Sequence, residues 1–391
     1  MTSPSVLTHD AWAIAAPGLE AIVAGELRSL GFADAAPSSG GAAFACDAAG
    51  LARAQIGLRV ASRVIVRIAG FRATAFHELE RAARKVEWSR FVCPSSAVRV
   101  RVTCRKSRLY HSDAVAQRVR EAILRAVPGI SLEDGQDGKE HEDKPNDATQ
   151  LFLVRLDRDQ CAISADASGA LLHRRGYRVA VARAPLRETL AAAMLLGVPW
   201  DPHTPLVDPM CGSGTIAIEA ALLARRIAPG LERAFAAERW PEMPTGVFAK
   251  AREEARARVL PSAPSPIHAS DRDAGAIAAA RANAVRAGVT DDIAFAEHAI
   301  SDLESPPGPG LLITNPPYGV RIGETGPLRD LFARLGQVAR SRFSGWQVAL
   351  LSADRTLESQ TGLRFTERFR TSNGGIPVRL VTAESFAVQS R

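Results

Sequence analysis

The segment Asn315-Pro316-Pro317-Tyr318 directly follows an apolar run, residues 311–314, that is typical of a short buried strand. Two consecutive prolines hold the backbone extended and remove N–H donors. The side-chain oxygen of Asn315 and the backbone carbonyl of Pro316 can then accept two hydrogen bonds, while the ring of Tyr318 can stack on a planar group. Two such acceptors stabilise an exocyclic amino group of a nucleobase as its nitrogen becomes tetrahedral and cationic. The segment therefore predicts chemistry on an amino group, with Asn315, Pro316 and Tyr318 as catalytic residues. The alternative is a Pro-Pro loop with a buried tyrosine.

A glycine-containing loop occurs upstream, in the segment DPMCGSGT that begins at Asp208. Gly212 and Gly214 let a ligand approach the backbone, and a helix starting at Thr215 offers free N–H groups. The loop lacks the Gly-Lys-Ser/Thr of a P-loop, and no acid follows about 20 residues later as in NAD-binding proteins. Asp271, after the next strand candidate, can accept hydrogen bonds from both hydroxyls of a ribose. These residues predict a nucleoside cofactor, although Asp208 could instead stabilise the loop and Asp271 could cap the next helix.

The elements that must position these residues alternate regularly from about Pro185 onward. They are strand candidates at 205–209, 266–270, 311–314 and 347–351, and helical patterns at 215–226, 274–287 and 328–341. This order predicts an α/β fold with a doubly wound parallel sheet, in which ligands bind beyond the carboxyl ends of the strands. A turn at 373–375 predicts an antiparallel hairpin at the end of the sheet.

The first 166 residues mix helix and strand patterns and carry an uneven charge. Residues 51–125 hold 17 Lys/Arg against 5 Asp/Glu, whereas residues 1–50 hold 1 against 5. In the stretch AVRVRVTCRKS, valines alternate with polar and basic residues, so one face of a strand is apolar and the other carries arginine. This clustering predicts a polyanion partner, and the alternative is an arginine-rich surface that is only solvated. The candidate RNA-binding residues in this half are Arg63, Arg99, Arg101 and Lys106.

Composition narrows the remaining function classes. The 391 residues are 46% hydrophobic and 23% charged, with a net charge of +7, which is ordinary for a globular protein. No apolar run approaches the roughly 18 residues of a membrane span, and the N-terminus lacks a secretory pattern. The cysteines are scattered and never spaced as CxxC, which argues against zinc and a disulfide framework. We therefore expect a cytoplasmic protein without a metal or a membrane partner.

Together these motifs resemble the class I S-adenosylmethionine-dependent methyltransferases. DPMCGSGT resembles their methionine-binding loop, SDRD (residues 270–273) their ribose-binding acid, and NPPYG the catalytic loop of amino-group methylases. The segment SGALLHRRGYRVAVARAPLRETLAAAML, residues 168–195, is similar to the linker and entry helix of bacterial 23S rRNA guanine-N2 methyltransferases that carry a THUMP domain. The resemblance covers nearly the whole chain. It implies a ferredoxin-like region at 1–50, a THUMP-like RNA-binding domain at 51–166, a linker at 167–188 and a Rossmann-like methyltransferase domain at 189–391.

The same resemblance implies a cofactor, S-adenosyl-L-methionine, and the residues around it. The cofactor-binding residues are then Asp208, Cys211, Gly212, Gly214, Thr215, Asp271 and Asp302. Asp302 is included because the family's acid near the adenine amino group aligns with Ala299, so a neighbouring acid is expected to substitute. Residues 185–188 are expected to line one side of the cofactor site. Arg174 and Arg175 are expected to contact RNA.

The function implied by the resemblance is methylation of guanine N2 in 23S rRNA. The alternatives are guanine-N2 methylation of tRNA, amino-group methylation of DNA, and a non-catalytic RNA-binding assembly factor. A cofactor-binding titration separates the last of these from the enzymes. Neither the target nucleotide nor the oligomeric state follows from the sequence.

Overall fold

The computed structural model describes residues 8–133, 149–178, 186–198, 200–318 and 325–384. The chain divides into two compact units, each of which combines separate stretches of sequence. Unit 1 comprises residues 1–15, 23–172 and 232–254, and unit 2 comprises residues 16–22, 173–231 and 255–391. Residues 232–254 thus pack with the N-terminal half of the chain, which no local pattern in the sequence indicates.

Unit 1 is built on a sheet that runs through both N-terminal regions of the sequence. Its strands are β1 (His9–Ile14), β2 (Ala36–Ser38), β3 (Gly41–Cys46), β4 (Arg63–Arg72), β5 (Ala97–Arg105), β6 (Ser131–Leu132), β7 (Thr149–Asp157) and β8 (Gln160–Asp166). Among the described residues the strand order is β2-β3-β1-β4-β8-β7-β5-β6. Strand β4 pairs antiparallel with both β1 and β8, so one hydrogen-bonded sheet joins the two regions. The helices of this half are α1 (Glu20–Ser29), α2 (Ala48–Gly57), α3 (Phe76–Ala83) and α4 (Ser112–Ala126).

Strand β5 has the two-faced character that its sequence predicts. Val98, Val100 and Val102 are buried, while Arg99 and Arg101 lie on the other face. Alternate residues of a strand point to opposite faces, so the period of two in the sequence becomes an apolar face and a basic face. Strand β5 pairs in parallel with β7 through all nine of its residues.

The second half of the chain alternates strands and helices. Its elements are α5 (Glu188–Gly197), β9 (Leu206–Asp208), α6 (Thr215–Ala224), α7 (Val247–Arg256), β10 (Ile267–Asp271), α8 (Ala274–Ala287), β11 (Ile293–Glu297), β12 (Leu311–Thr314), α9 (Thr325–Arg342), β13 (Gln347–Ser352), α10 (Arg355–Gln360), β14 (Thr366–Asn373) and β15 (Ile376–Glu384). The sheet of unit 2 has the order β11-β10-β9-β12-β13-β15-β14 in the described part of the chain. Strands β9 to β13 run parallel, and β15 and β14 run antiparallel at one edge. The predicted α/β doubly wound sheet with its final hairpin is confirmed.

Strand β11 was missing from the predicted elements. It lies at the edge of the sheet, where only Ile293 and Phe295 of its five residues are buried. A five-residue edge strand with two buried side chains has too weak a hydrophobic pattern to be recognised from sequence. The central strands β12 and β13 are buried along their whole length except at Gln347, because helices cover both faces of a parallel sheet.

Apolar packing in unit 2 holds these strands against helix α9. Val207, Leu312 and Val348 come from three neighbouring strands and belong to the same buried cluster as Phe332 of α9. Nearby, Phe343 packs edge-to-face on Trp346 with ring centroids 5.0 Å apart. The carboxyl ends of β9 and β12 are therefore fixed by a dense core directly beneath them.

The predicted domain boundaries stay predictions, although the sheet of unit 1 crosses the division placed at residue 50. No helix in the described ranges is long and apolar enough to cross a membrane. The described residues also contain no group of three or more His, Cys, Asp or Glu side chains placed to hold a metal ion.

Candidate active site

The residues predicted to do chemistry meet at the carboxyl ends of three neighbouring strands. Asp208 ends β9, Asp271 ends β10, and Asn315 directly follows β12. Strand β9 lies between the other two, pairing in parallel with β10 and with β12. The strand order reverses direction along the chain at β9, which is where open α/β sheets form a ligand crevice.

The glycine loop between β9 and α6 leaves open space above its backbone. Gly212 has a φ of +52°, and a Cβ atom built on it would meet nothing within 4 Å. Gly214 has a φ of +82°, and a Cβ there would lie 2.9 Å from the Cβ of Ala280 in helix α8. The two glycines thus differ: Gly212 leaves open space above the loop, and Gly214 permits close packing of α6 on α8.

Asp271 holds this loop as well as facing the crevice. Its Oδ2 accepts a hydrogen bond from the backbone N–H of Gly212 at 3.0 Å, and its Oδ1 accepts one from Asp273 N–H at 3.0 Å. The alternative role considered for Asp271, capping the following helix, belongs instead to Asp273, which accepts from the N–H groups of Gly275 and Ala276. Asp271 remains partly exposed, and each carboxylate oxygen keeps a lone pair for a further donor.

Asp208 is buried with an oxygen that has no partner. Asp208 is only 1% exposed. Its Oδ1 accepts a hydrogen bond from the Met210 N–H at 3.3 Å. Oδ2 has no hydrogen-bond partner of normal geometry within the described ranges, and neither has the hydroxyl of nearby Thr314. Burial raises the pKa of Asp208 to about 7, assisted by the negative charge of Asp271, while Thr314 and the Met210 N–H act in the opposite direction. Asp208 and the neighbouring Thr314 hydroxyl are therefore poorly satisfied buried polar groups at the strand end, a feature that concentrates at functional sites.

Asn315 presents the acceptor that its sequence position predicts. Its Oδ1 is buried and has no partner among the residues that the structure describes. Pro316 is buried beside it, and Pro317 is exposed. A buried amide oxygen without a donor is costly in a folded protein, so it indicates a site completed by a ligand.

The Tyr318 hydroxyl has a partner that sequence reasoning missed. Asn373, the last residue of β14, donates from Nδ2 to the Tyr318 hydroxyl oxygen at 2.5 Å. Burial raises the pKa of Tyr318, and the hydrogen bond from Asn373 acts in the opposite direction. The 373–375 turn was predicted only as a turn, because no local signal connects it to a residue 55 positions earlier. The hairpin therefore orients the Tyr318 ring.

If Asn315, Pro316 and Tyr318 are catalytic as predicted, Asn373→Ala and Tyr318→Phe should each lower kcat/KM by roughly 2- to 10-fold, the value of one neutral hydrogen bond. The double variant should lose little more than either single variant, since both remove the same bond. Steady-state kinetics of the four proteins measures this, with Ser372→Ala, an exposed neighbour on the same hairpin, as control. Losses that simply multiply in the double variant would show that Asn373 does not act through Tyr318.

A buried charged network joins the predicted linker to the cofactor loop. Arg178 donates to Thr215 Oγ1 at 2.8 Å and lies 3.1 Å from Glu188. Tyr177 donates its hydroxyl proton to Glu219 Oε1 at 3.1 Å. These roles of Tyr177, Arg178 and Glu219 were not predicted. The segment HRRGYR, residues 173–178, has the composition of a nucleic-acid-binding surface, and the acidic residues that pair with it lie far away in sequence. The network fixes the N-terminus of helix α6, where the glycine loop ends.

Two of the predicted RNA-contacting arginines form buried ion pairs in the structure. The Arg175 side chain is 3% exposed and pairs with Glu219 at 3.4 Å. The Arg63 guanidinium pairs with buried Asp166 and donates to the Gly169 carbonyl at 2.7 Å. Each guanidinium is engaged by a buried acidic partner, which leaves it little access to a phosphate, and RNA binding by Arg63 and Arg175 stays a prediction.

The remaining predicted residues occupy varied positions. Arg99 donates to Glu133 at 2.7 Å, Arg101 and Lys106 are exposed, and Arg174 is half-buried. Cys211 is buried in the glycine loop, where burial raises its thiol pKa. Asp302 is exposed in a short 3₁₀ turn after β11. Of the segment expected to wall the site, Leu186 and Glu188 are buried and Pro185 lies outside the described residues.

Three family descriptions match successive parts of the chain. Residues 175–382 match "UPF0020: RMKL-like, methyltransferase domain". Residues 10–65 match "RlmL ferredoxin-like domain" and residues 73–166 match "THUMP domain". The first match includes all the strand ends that form the crevice.

Known proteins resemble the chain over most of its length. It is 35% identical to "Putative RNA methyltransferase slr0064" of Synechocystis sp., over 98% of each chain. It is 38% identical to "Ribosomal RNA large subunit methyltransferase K/L" of Syntrophotalea carbinolica, matching 95% of this chain but 53% of that longer protein. A crystal structure titled "SMU.472, a putative methyltransferase complexed with SAH" superposes with a TM-score of 0.85 at 28% identity, covering 98% of this chain and 99% of the other.

Proposed function

Because this chain belongs to the RMKL-like methyltransferase family, with a ferredoxin-like region and a THUMP domain before the methyltransferase domain, we propose that it transfers a methyl group from S-adenosylmethionine to guanine N2 in 23S rRNA. The family supports a cofactor-dependent methyltransferase acting on RNA. The observation that carries the finer proposal is the buried, unpartnered Oδ1 of Asn315 at the carboxyl end of β12.

The residues at the strand ends fit S-adenosylmethionine. The open space over Gly212 is a cradle that a Cβ would occupy, and the Asp208 Oδ2 lacks a donor among the described residues. Asp271 would accept the ribose hydroxyls, and the backbone of Cys211, Gly212, Gly214 and Thr215 would surround the methionine part. Asp302 is proposed to face the adenine amino group. When bound, the cofactor supplies an electrophilic methyl group carried on sulfur.

Asn315 and Pro316 orient the guanine amino group for attack. The amino group donates one hydrogen bond to the Asn315 Oδ1 and one to the Pro316 carbonyl oxygen. These two bonds draw the nitrogen lone pair out of conjugation with the ring. As N2 would take the methyl group, whose bond to the cofactor sulfur would break to leave a neutral thioether, the nitrogen would gain positive charge that these fixed oxygens stabilise without reorganising. The surplus N–H proton would then pass to solvent. Tyr318, which is held by Asn373, stacks on the guanine base and keeps the base aligned with the two acceptor oxygens.

The choice of RNA rather than another amino-group substrate rests on unit 1. The same Asn-Pro-Pro-Tyr chemistry suits adenine N6 in DNA and the side-chain amide of glutamine. The THUMP match and the 17 Lys/Arg against 5 Asp/Glu in residues 51–125 favour a structured RNA. Transfer RNA is the second candidate, since the same surface chemistry accepts either RNA.

Nucleoside mass spectrometry of rRNA and tRNA from a deletion strain tests the proposal. N2-methylguanosine should fall in 23S rRNA, and return when the wild-type gene is supplied but not when Asn315→Ala is supplied. A loss confined to tRNA would assign the tRNA function instead. Unchanged N2-methylguanosine in both RNAs would overturn the proposal.

The role of Asp271 in cofactor binding gives a direct test. We expect Asp271→Ala to weaken S-adenosylmethionine binding by roughly 1.5–3 kcal/mol, because hydrogen bonds to a charged group are lost and the glycine loop loses its tie at Gly212. The matched control is Asp273→Ala, which removes a nearby carboxylate that caps helix α8. Calorimetry should show reduced affinity for the first variant only. Equal affinity of Asp271→Ala and wild type would remove Asp271 from the site.

A further inference from the structure

The loop between β5 and α4 of unit 1 carries the most exposed aromatic side chain of the described residues. Tyr110 is 68% exposed. Its ring leans on the ring of His111, with centroids 4.0 Å apart and planes tilted by 40°. Since His111 covers part of one face and the side chain is still mostly exposed, the other face of the Tyr110 ring is open. An aromatic ring that is exposed to solvent in this way is suited to stacking on another planar group.

The backbone around Tyr110 is tied down rather than loose. Arg158 N–H donates to the Arg105 carbonyl at 3.1 Å, and Arg108 N–H donates to Asp159 Oδ1 at 2.8 Å. Ser107 Oγ accepts from Asp159 N–H at 3.0 Å. These bonds join residues 105–108 to the turn between β7 and β8.

The joined loops contain backbone conformations that side chains rarely adopt. Lys106, Arg158 and Asp159 have φ values of 48°, 51° and 64°. Arg158 and Asp159 are the two central residues of the β7–β8 hairpin, where a positive φ is the usual geometry, so Lys106 alone of the three is unusual. The hydrogen bonds hold residues 105–108 against this hairpin, so Tyr110 closely follows a fixed segment.

The same loops are positively charged. Arg105, Lys106, Arg108 and Arg158 are exposed, and no carboxylate of the described chain forms an ion pair with any of them. Of the neighbouring acids, the Asp159 carboxylate accepts a hydrogen bond from the Arg108 backbone N–H, and Asp113 lies in the first turn of α4. The cations therefore outnumber the acids around the open Tyr110 ring. By contrast, Arg63 is buried and Arg99 is paired on the sheet.

We propose that Tyr110 stacks on an unpaired base of the RNA while Lys106, Arg108 and Arg158 contact the adjoining phosphates. This inference rests on the proposed RNA function and deepens it, because it states which feature of the RNA unit 1 recognises. An aromatic platform beside cations is the arrangement that binds single-stranded nucleic acid, since every base has a π-face. The contact lies at one end of the β5–β7–β8 part of the sheet, and not on the arginine face of β5.

Fluorescence anisotropy with the full chain tests this proposal. The probes are a labelled RNA hairpin with a single-stranded oligo(A) tail and the same hairpin with a blunt end. Wild type should bind the tailed hairpin more tightly. Tyr110→Ala should weaken binding of the tailed hairpin by roughly 5- to 150-fold and leave the blunt hairpin unchanged, whereas Tyr110→Phe should bind as wild type.

The charge contribution is tested with two lysines of unit 1. Lys106→Ala should weaken binding of both hairpins and reduce the salt dependence, because a phosphate contact releases a counterion. The matched control is Lys85→Ala, an exposed lysine just after helix α3, which should change neither. Tyr110→Ala binding the tailed hairpin as wild type does, or losing affinity equally for both hairpins, would overturn the stacking proposal.

Failure of this inference and failure of the proposed function give different results. If stacking is wrong but the function is right, Tyr110→Ala binds RNA normally and N2-methylguanosine still depends on the gene. If the function is wrong, N2-methylguanosine is unaffected by deletion whatever Tyr110 does in binding.

Discussion

Asn315→Ala should lower single-turnover methyl transfer to rRNA fragments by roughly 10²–10³, the usual loss for one pre-positioned electrostatic partner. The substitution removes a buried oxygen that has no donor among the described residues and leaves the Pro316 carbonyl as the remaining acceptor. The amino nitrogen would then become cationic with one stabilising oxygen instead of two. Affinity for S-adenosylmethionine should hardly change, because the residues proposed to bind the cofactor lie at the ends of β9 and β10.

Asn315→Asp is the matched control for this result. Aspartate keeps an acceptor oxygen of similar reach, so its loss should be clearly smaller than that of alanine. Calorimetric titration of the cofactor should give the same affinity for all three proteins, which excludes a general disruption of the site. If the alanine variant transfers methyl at the wild-type rate, the amino-group mechanism is wrong.

Asp208→Asn should stabilise the cofactor-free protein at alkaline pH. The folded pKa of Asp208 is about 7, raised from an ordinary 3.8 mainly by burial. An acid whose folded pKa is raised contributes stability below its unfolded pKa, and that contribution is lost as pH rises towards the folded value. The wild-type free energy of unfolding should therefore fall between about pH 4 and pH 7 relative to the asparagine variant. Above pH 7 the variant should be more stable by on the order of 2–4 kcal/mol.

Urea unfolding of the two proteins at several pH values measures this difference. The two should agree at about pH 2, well below the ordinary 3.8, where the carboxyl group is neutral in both states of wild type. Asp291→Asn, which removes an exposed carboxylate of the same unit, is the control and should show no such divergence. A stability difference between Asp208→Asn and wild type that is independent of pH would contradict the assignment of a raised pKa to Asp208.

The glycine loop, the Asn-Pro-Pro-Tyr segment and the alternation of the central strands and helices in unit 2 were predictable from sequence, whereas the edge strand β11 was not. Each is encoded by neighbours along the chain: apolar runs mark the buried strands, and glycines and prolines mark the loops after them. In a parallel sheet the carboxyl ends of neighbouring strands share one edge. Local pattern therefore sufficed to bring Asp208, Asp271 and Asn315 together.

Only the tertiary structure decided which polar residues are available to a ligand. Arg63 and Arg175 look like phosphate ligands by composition, yet each is buried against an acid, Asp166 and Glu219, that is 103 and 44 residues away in sequence. The Asn373–Tyr318 bond spans 55 residues, and the fixed segment before Tyr110 depends on a turn about 50 residues later. Such pairs are fixed by how the elements pack, because a hydrogen bond or an ion pair depends on distance in space and carries no periodicity along the chain.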